Sequence, residues 1–465
     1  MSDDQCTTEV TSQVHRVNGN DNCIQSNGRR KYSSSAQDRS DERTNINRQL
    51  LSPSSASSSA VSSLPSLGSG SGSSMVSEYH GKLPVISARA RNFLVGSIGH
   101  QESALGDDEL SRIFPNGLVN VMVITWNMSG KKGPDEINDI LLPDNIEFVP
   151  DIYAIGTQES PGNSGSNEMR ELIITLQSTI GPHHVLLHSA FLGVLHVCLF
   201  VRRDLIWYVS LPEDDYFNLR TKATNIVKTK GAVCISFALF GTTFLFVNCH
   251  LSAHSHRNQE RMDDYDRICR SINLPRNLRP LKPKYNSTNA TSRFDVVFWF
   301  GDLNFRIEQD YSNAIRMLTR ASLTSFEALL HDDQLSKALD KGDIFYGFRE
   351  AAIRFAPTYK YRIGTDGFDI LRQRVPSYTD RILYRCKRSD QVSCIVYDCA
   401  QRVKTSDHKP VYALMEVKIK PGRDDIPLNA GAFRRDIYLD GLKRRSRDMP
   451  NNSIKNHSSV ICVLS

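Results

Sequence analysis

No two cysteines stand at C-x-x-C spacing, although the 465-residue chain carries ten of them. Thiols scattered in this way argue against a zinc ribbon or a dithiol redox motif, and suit a reducing cytosolic setting better than a disulfide framework. The opening MSDDQCTTEV lacks a basic-then-apolar character, so secretion is not expected. Extended apolar segments are also missing. The longest, VLLHSAFLGVLHVCLFV from Val185 to Val201, is broken by His188, Ser189, Gly193 and His196 and reads as two core strands rather than a membrane span. Net charge is small: 57 Lys and Arg against 51 Asp and Glu leave +6. So slight an excess permits an anionic partner without naming one, and the placement of charge matters more than its total.

Four regions differ in composition. Residues 1–90 are polar, with thirteen serines between Leu51 and Met75, and cannot bury enough apolar surface to offset chain entropy; they are predicted to be disordered. Residues 91–117 read as a linker or leading segment. From 118 to 420 short β-branched and aromatic runs alternate with polar clusters, as in VNVMVITW, DIYAIG, LHVCLFVR, AVCISFAL, TFLFVNC, DVVFWF, RILYR, CIVYD and VYALMEVKI. The Gly241-Thr242 break reads as a hairpin. Met262, Tyr265, Cys269 and Ile272 recur at helical spacing, and a further helix is expected around Phe326 to Leu339. Many strands and few helices predict an α/β fold of two packed sheets with helices outside. The tail, 421–465, loses strand character, turns basic, and ends ICVLS.

The strands end alike. VITW delivers Asn127, YAIGTQ delivers Glu159, FLFVNC delivers His250, and FWFG delivers Asp302 and Asn304; Asp380 precedes RILYR, and Asp407-His408 precedes VYALM. One acid after a strand is a turn. Six such segments make a site if those strand ends share one rim. Asn127, Glu159 and Asp407 offer oxygen ligands without a thiolate or a multi-histidine motif, which suits a hard cation such as Mg2+. Two histidines and further carboxylates remain to orient a water and to stabilise phosphoryl transfer. His254 and His256, just before a helix, read as surface or cap residues; His183, His184, His188 and His196 read as packed; Arg306 and Arg381 read as loop braces.

In this order, TWN, GTQE, NCHL, WFGDLNFR (299–306), PSYTDRIL (376–383) and TSDHKPV resemble the inositol polyphosphate 5-phosphatases, a branch of the endonuclease/exonuclease/phosphatase superfamily. The resemblance covers about residues 118–420. It implies a deoxyribonuclease I-like sandwich of two mixed β-sheets flanked by helices. It implies Mg2+ on Asn127 and Glu159 with support from Asp407, a water aligned or deprotonated by Asp302, and a carboxylate–histidine pair of Asp380 and His408 at the scissile phosphate. Asn304 would donate to a phosphoryl oxygen, and His250 would stabilise or protonate the leaving group.

Substrate choice is implied by the same resemblance. Tyr359, Lys360 and Arg374 match residues that grip a neighbouring 4-phosphate, with Gln373 standing where many relatives carry a basic residue. Lys230 is placed to reach an anionic head group, Thr229 replacing a common Asn. A nuclease of this fold would instead need a groove for a sugar–phosphate chain, so no nucleic-acid partner is expected.

Cys462-Val463-Leu464-Ser465 is a C-a-a-X box predicting farnesylation of Cys462. Upstream, six Lys and Arg against two Asp between Arg434 and Arg447 read as the basic second signal that a lone lipid chain needs on an anionic cytoplasmic leaflet. Together with the serine-rich head and KTKGA, these features are similar to the prenylated type of the family. That similarity implies PtdIns(3,4,5)P3 and PtdIns(4,5)P2 as substrates at Golgi and primary-cilium membranes. It also implies a prenyl-binding chaperone and a ciliary small GTPase as partners, although FRRDIYL carries Arg434 where the targeting stretch of that type has an acid.

Overall fold

The computed structural model describes residues 104–219, 229–278, 288–319, 322–423 and 425–448. The serine-rich head and Cys462 lie outside the described residues.

Two six-stranded sheets face each other. In the first, β1 (Leu118–Asn127) runs parallel to β2 (Ile152–Gln158) and antiparallel to β12 (Val411–Lys418), with β3 (His184–Leu192), β4 (Leu195–Arg202) and β11 (Val392–Cys399) completing the order β11-β12-β1-β2-β4-β3. In the second, β5 (Glu213–Asn218), β6 (Gly231–Leu239), β7 (Thr242–His250), β8 (Val296–Asp302), β9 (Arg349–Glu350) and β10 (Asp380–Cys386) lie in the order β5-β6-β7-β8-β10-β9, with β7 and β8 parallel. The helices are α1 (Asp107–Ile113), α2 (Asn138–Leu141), α3 (Asn167–Ile180), α4 (Asn258–Ser271), α5 (Tyr311–Thr319), α6 (Leu323–Leu330), α7 (Gln334–Lys341) and α8 (Arg435–Asp448).

The strands are apolar on both faces because both faces are covered. Along β1, Val119, Val121 and Val123 enter the core between the sheets, where they join Phe237, Phe246 and Phe298. The alternate residues Met122 and Ile124 pack outward with Met169, Leu172 and Leu176 of α3. Beneath the second sheet, Tyr265, Ile268 and Cys269 of α4 meet Leu245, Val247 and Trp299. The stripe read from the sequence is therefore the buried face of α4. Helix α3 begins where Ser166 Oγ accepts from Met169 N at 3.2 Å, and ends at Gly181, whose φ of 93° suits a residue without Cβ.

Some elements depart from the sequence reading. Strand β5, EDDYFN, is too acidic to read as a strand and survives as a charged sheet edge. The helix expected from Phe326 to Leu339 is two helices, α6 and α7, the second capped by Asp333, whose carboxylate accepts from Ser336 N at 2.9 Å. The described part of the leading segment, 104–117, is part of the domain, since Leu105, Leu110 and Phe114 are buried in the central core.

The tail is likewise not wholly separate. Helix α8 lies on α3, with Ile437 and Tyr438 buried and Arg170 bonded to Asp440 at 2.5 Å. Arg444 pairs with Glu171, Arg434 pairs with Asp436, and Arg445 donates to Ser178 O at 3.0 Å. The basic stretch expected as a second membrane signal is thus an amphipathic helix, two of whose arginines, Arg444 and Arg445, are bonded to α3. No helix among the described residues is long and apolar enough to cross a membrane.

Candidate active site

The polar residues at the strand ends do share a rim. Parallel pairing sets the C-terminal ends of β1 and β2 side by side (Asn127 opposite Gln158), and those of β7 and β8 likewise (His250 opposite Asp302). Antiparallel pairing puts the start of β10 there too, Asp380 opposite Asp302. Gly301 makes this possible: its φ is 142°, and a Cβ would fall 2.0 Å from the carbonyl oxygen of Cys249. Only glycine lets β8 turn its last residues into the site at that approach.

Asp302 is the hub. Asn127 Nδ2 donates to its Oδ2 at 2.9 Å across the gap between the sheets, His250 Nε2 lies 3.1 Å from the same oxygen, and Asn304 N donates to Oδ1 at 3.1 Å. Burial favours the neutral acid, but the nearby His250, His408 and Lys230 outweigh it and hold Asp302 well below the usual carboxylate range. His250, in contact with Lys230, is kept neutral by burial and by that ammonium. At His408 the balance reverses. Burial opposes its charge, yet Asp380, Asp302 and Asp407 raise it to about 9.

Asp380 is wholly buried and bonded to His408 Nδ1 at 2.9 Å; Thr358 and Thr379 hydroxyls donate to its Oδ2 at 2.7 and 2.8 Å. Ser406 Oγ accepts from His408 N at 3.1 Å and donates to Asn127 O at 2.6 Å. Asn304 donates from Nδ2 to Leu251 O at 3.2 Å, and its Oδ1 accepts from Arg306. Behind this group Asn248 joins the sheets: its Oδ1 accepts from Gln158 Nε2 at 2.7 Å, while its Nδ2 donates to Thr157 O (3.2 Å) and His196 O (2.6 Å).

These groups lie on a cavity of about 940 Å³. Asn127, Glu159, Lys230, His250, Asp302 and Asn304 line one part of it, and Tyr359, Lys360, Arg374, Asp407 and His408 another; Asp380 stands behind His408. Lys360 is ion-paired with Asp407, Arg374 donates to Tyr359 Oη at 2.5 Å, and the Arg306 guanidinium sits 4.6 Å from the Tyr359 ring centre. Arg381, by contrast, is a brace, buried between Asp333 (2.8 Å) and Glu350 (2.6 Å). His254 and His256 stack at 5.8 Å on the cavity wall, and the residue capping α4 is Arg257. Of the eight non-glycine residues with positive φ among the described residues, Ser129, Glu159, His254, Asn304 and Gln373 line this cavity. Strained backbone concentrates where chemistry overrides comfort.

Two donor sets compete for a cation. Asp302, Asp380 and His408 bring ligand atoms within 4.8 Å of one another. Within that trio Asp380 and His408 are bonded to each other, which occupies Nδ1 of the imidazole. Glu159 and Asn127 are the better fit. Glu159 opens on the cavity 4.0 Å from His250, Asn127 Oδ1 accepts from Ser129 N at 2.9 Å, and no thiolate lines the cavity among the described residues. An oxygen set of this kind suits a hard divalent ion. Asp407, paired with Lys360, faces the same space from the other wall.

A model of the Endonuclease/Exonuclease/phosphatase family 2 matches residues 124–414. The type IV phosphatidylinositol polyphosphate 5-phosphatase of Homo sapiens is 43% identical over 383 residues, 81% of this chain and 58% of that protein. The type IV inositol polyphosphate 5-phosphatase 11 of Arabidopsis thaliana is 31% identical, over 63% of this chain and 81% of that protein. The chain belongs to the inositol polyphosphate 5-phosphatases. It spans 58% of the length of the type IV relatives it matches. Among solved structures, the inositol polyphosphate 5-phosphatase domain of SPsynaptojanin, in complex with inositol (1,4)-bisphosphate and a calcium ion, aligns with a TM-score of 0.56 and 28% identity, covering 71% of this chain and 92% of that one.

For this inositol polyphosphate 5-phosphatase family member, sequence reasoning passed over Asn248, Gln158 and Ser406, all inside quoted motifs, and Thr358, next to Tyr359. The signal was present: an Asn in the otherwise apolar FLFVNC is costly to bury unless it is bonded.

Proposed function

We propose that the chain is a Mg2+-dependent phosphoinositide 5-phosphatase acting on PtdIns(3,4,5)P3 and PtdIns(4,5)P2. The observation that carries this reading is one cavity with opposed chemistries: an ionised Asp302 beside a protonated His408 on its floor, and Lys360, Arg374 and Arg306 gathered about Tyr359 on its wall. A compact ring bearing several phosphates fits cations so clustered. The names of the type IV relatives support the same substrate class.

Asp302, ionised throughout the physiological range, accepts a hydrogen bond from the attacking water and aligns it with phosphorus. His408 donates to a phosphoryl oxygen and offsets the charge gained in the transition state; Asp380 fixes its tautomer and keeps it protonated. Asn304 has a second amide hydrogen for the same oxygens. Because His250 is neutral, it orients Asp302, and proton donation falls to His408. A divalent ion on Glu159 and Asn127 would supply Lewis-acid stabilisation of the phosphoryl oxygens. Lys360, Tyr359 and Arg374 position the neighbouring 4-phosphate.

Farnesylation of Cys462 for residence on Golgi and ciliary membranes, with a prenyl-binding chaperone and a ciliary small GTPase, completes the proposal; the ICVLS terminus supports it. Phosphate release from short-chain PtdIns(4,5)P2 and PtdIns(3,4,5)P3, dependent on added Mg2+ and without nicking of plasmid DNA, is the expected result. Nicking without lipid turnover would instead establish a nuclease. Cys462→Ser should leave turnover of the soluble lipid intact and abolish membrane residence in cells.

A further inference from the structure

Between Lys360 and Arg374 the chain makes an ordered excursion with an apolar tip. Arg362 N donates to Gly367 O at 2.9 Å and Asp369 N to Lys360 O at 2.8 Å, while Gly364 N is anchored to Lys404 O at 2.8 Å. Tyr361 and Phe368 close its base with ring centres 4.5 Å apart. The tip is fixed too, Leu371 N donating to Asp369 Oδ1 at 3.1 Å. On this backbone Leu371 is 87% exposed, Ile370 62% and Ile363 45%. A lone exposed leucine needs no explanation. Adjacent apolar residues held outward on a bonded turn at the lip of a polar cavity do need one.

The surrounding charges select the partner. Arg362, Arg372 and Arg374 are exposed, whereas Asp366 is neutralised by Lys404 at 2.6 Å and Asp369 is engaged by the turn. Arg372, Gln373 and Arg374 also line the catalytic cavity, so the apolar tip is continuous with its mouth. Apolar side chains flanked by arginines match the two layers of an anionic bilayer, acyl chains beneath and phosphates above.

The geometry points to a membrane-seating role for residues 362–373: Ile370 and Leu371 enter the acyl boundary of an anionic bilayer, Arg362 and Arg372 meet lipid phosphates, and the cavity mouth is set on the headgroup plane. This rests on the phosphoinositide reading above. It also answers a shortfall: α8 has committed Arg444 and Arg445 to α3, and one lipid chain alone gives marginal attachment. The loop supplies a second contact at the place where the chemistry occurs.

The test uses the full-length chain without its lipid, assayed on PtdIns(4,5)P2 in phosphatidylcholine–phosphatidylserine vesicles and on dissolved short-chain PtdIns(4,5)P2. The double variant Ile370→Ser, Leu371→Ser should lose about tenfold or more in vesicle co-sedimentation and in vesicle kcat/KM, and keep its rate on the dissolved lipid. Leu371→Trp should sediment more with vesicles, since tryptophan favours the interface. Equal vesicle binding by the wild type and the double variant overturns the proposal, and is also the outcome if the loop serves a protein partner. An equal loss on both substrates overturns it as well. Vesicle binding that depends on Ile370 and Leu371 in a chain inactive on both lipids would uphold the seating role while removing the 5-phosphatase reading.

Discussion

Nδ1 of His408 lies 2.9 Å from Oδ2 of Asp380, a carboxylate with no exposed surface. The pair makes the imidazole a cation in a place where burial alone would make it neutral, on a residue that lines the cavity. Asp380→Asn keeps the shape and removes the charge. The alkaline limb of the kcat–pH profile should therefore move from about 9 toward the ordinary 6.5, with kcat at pH 8 down by about thirtyfold. The sign for stability agrees. A group raised in the folded state stabilises fully below 6.5 and ceases to do so as pH rises through about 9, so urea midpoints should fall across that window in the wild type and less in the variant.

Asp302 behaves oppositely. Its cationic neighbours hold its carboxyl far below the usual range, so its own titration should leave no acid limb in turnover between about pH 5 and 8. Asp302→Ala should lower kcat by about a thousandfold or more while leaving the circular dichroism spectrum unchanged. Full activity in that variant would remove the mechanism proposed here.

Arg381 tests the brace beneath the site. It is 1% exposed between Asp333 and Glu350, so Arg381→Met leaves two buried carboxylates without their cation. Urea unfolding should show a loss of about 3–5 kcal/mol. A loss near zero would mean that these carboxylates take up protons or solvent without cost.

Gly301 tests the turn that aims Asp302. With backbone atoms of Cys249 only 2.0 Å from the position of an added Cβ, Gly301→Ala must push β8 away from β7. Activity should fall by about tenfold or more even where the chain still folds, since small misplacements of reacting groups cost about that much or more. Comparing kcat with the unfolding midpoint separates the two effects.

How far the sequence disclosed the molecule depended on which physical signal each part leaves. Strands such as LHVCLFVR and AVCISFAL were legible because both faces are buried and apolar residues dominate them. The rim was legible because acids, amides and imidazoles after apolar runs are unusual, and six occur in one chain. EDDYFN was hidden, since its pairing is a matter of backbone bonds at a sheet edge, where acidic side chains are welcome. Helix α8 was hidden differently: its arginines read as a basic membrane signal, and only the fold reveals that Glu171 and the last carbonyls of α3 await two of them. Oxygen donors at the strand ends were legible as residue types, while the pairing of Asp407 with Lys360 required coordinates.

Asn248 has a wider consequence. Two greasy layers pressed together have little reason to prefer one lateral offset over the next, because hydrocarbon contact is indifferent to direction. The amide clasp from Asn248 to Gln158, Thr157 and His196 is not indifferent, for it closes at a single offset. Asn127 arrives on one layer and Asp302 on the other, so the alignment of the reacting groups is decided by a side chain that never meets the substrate.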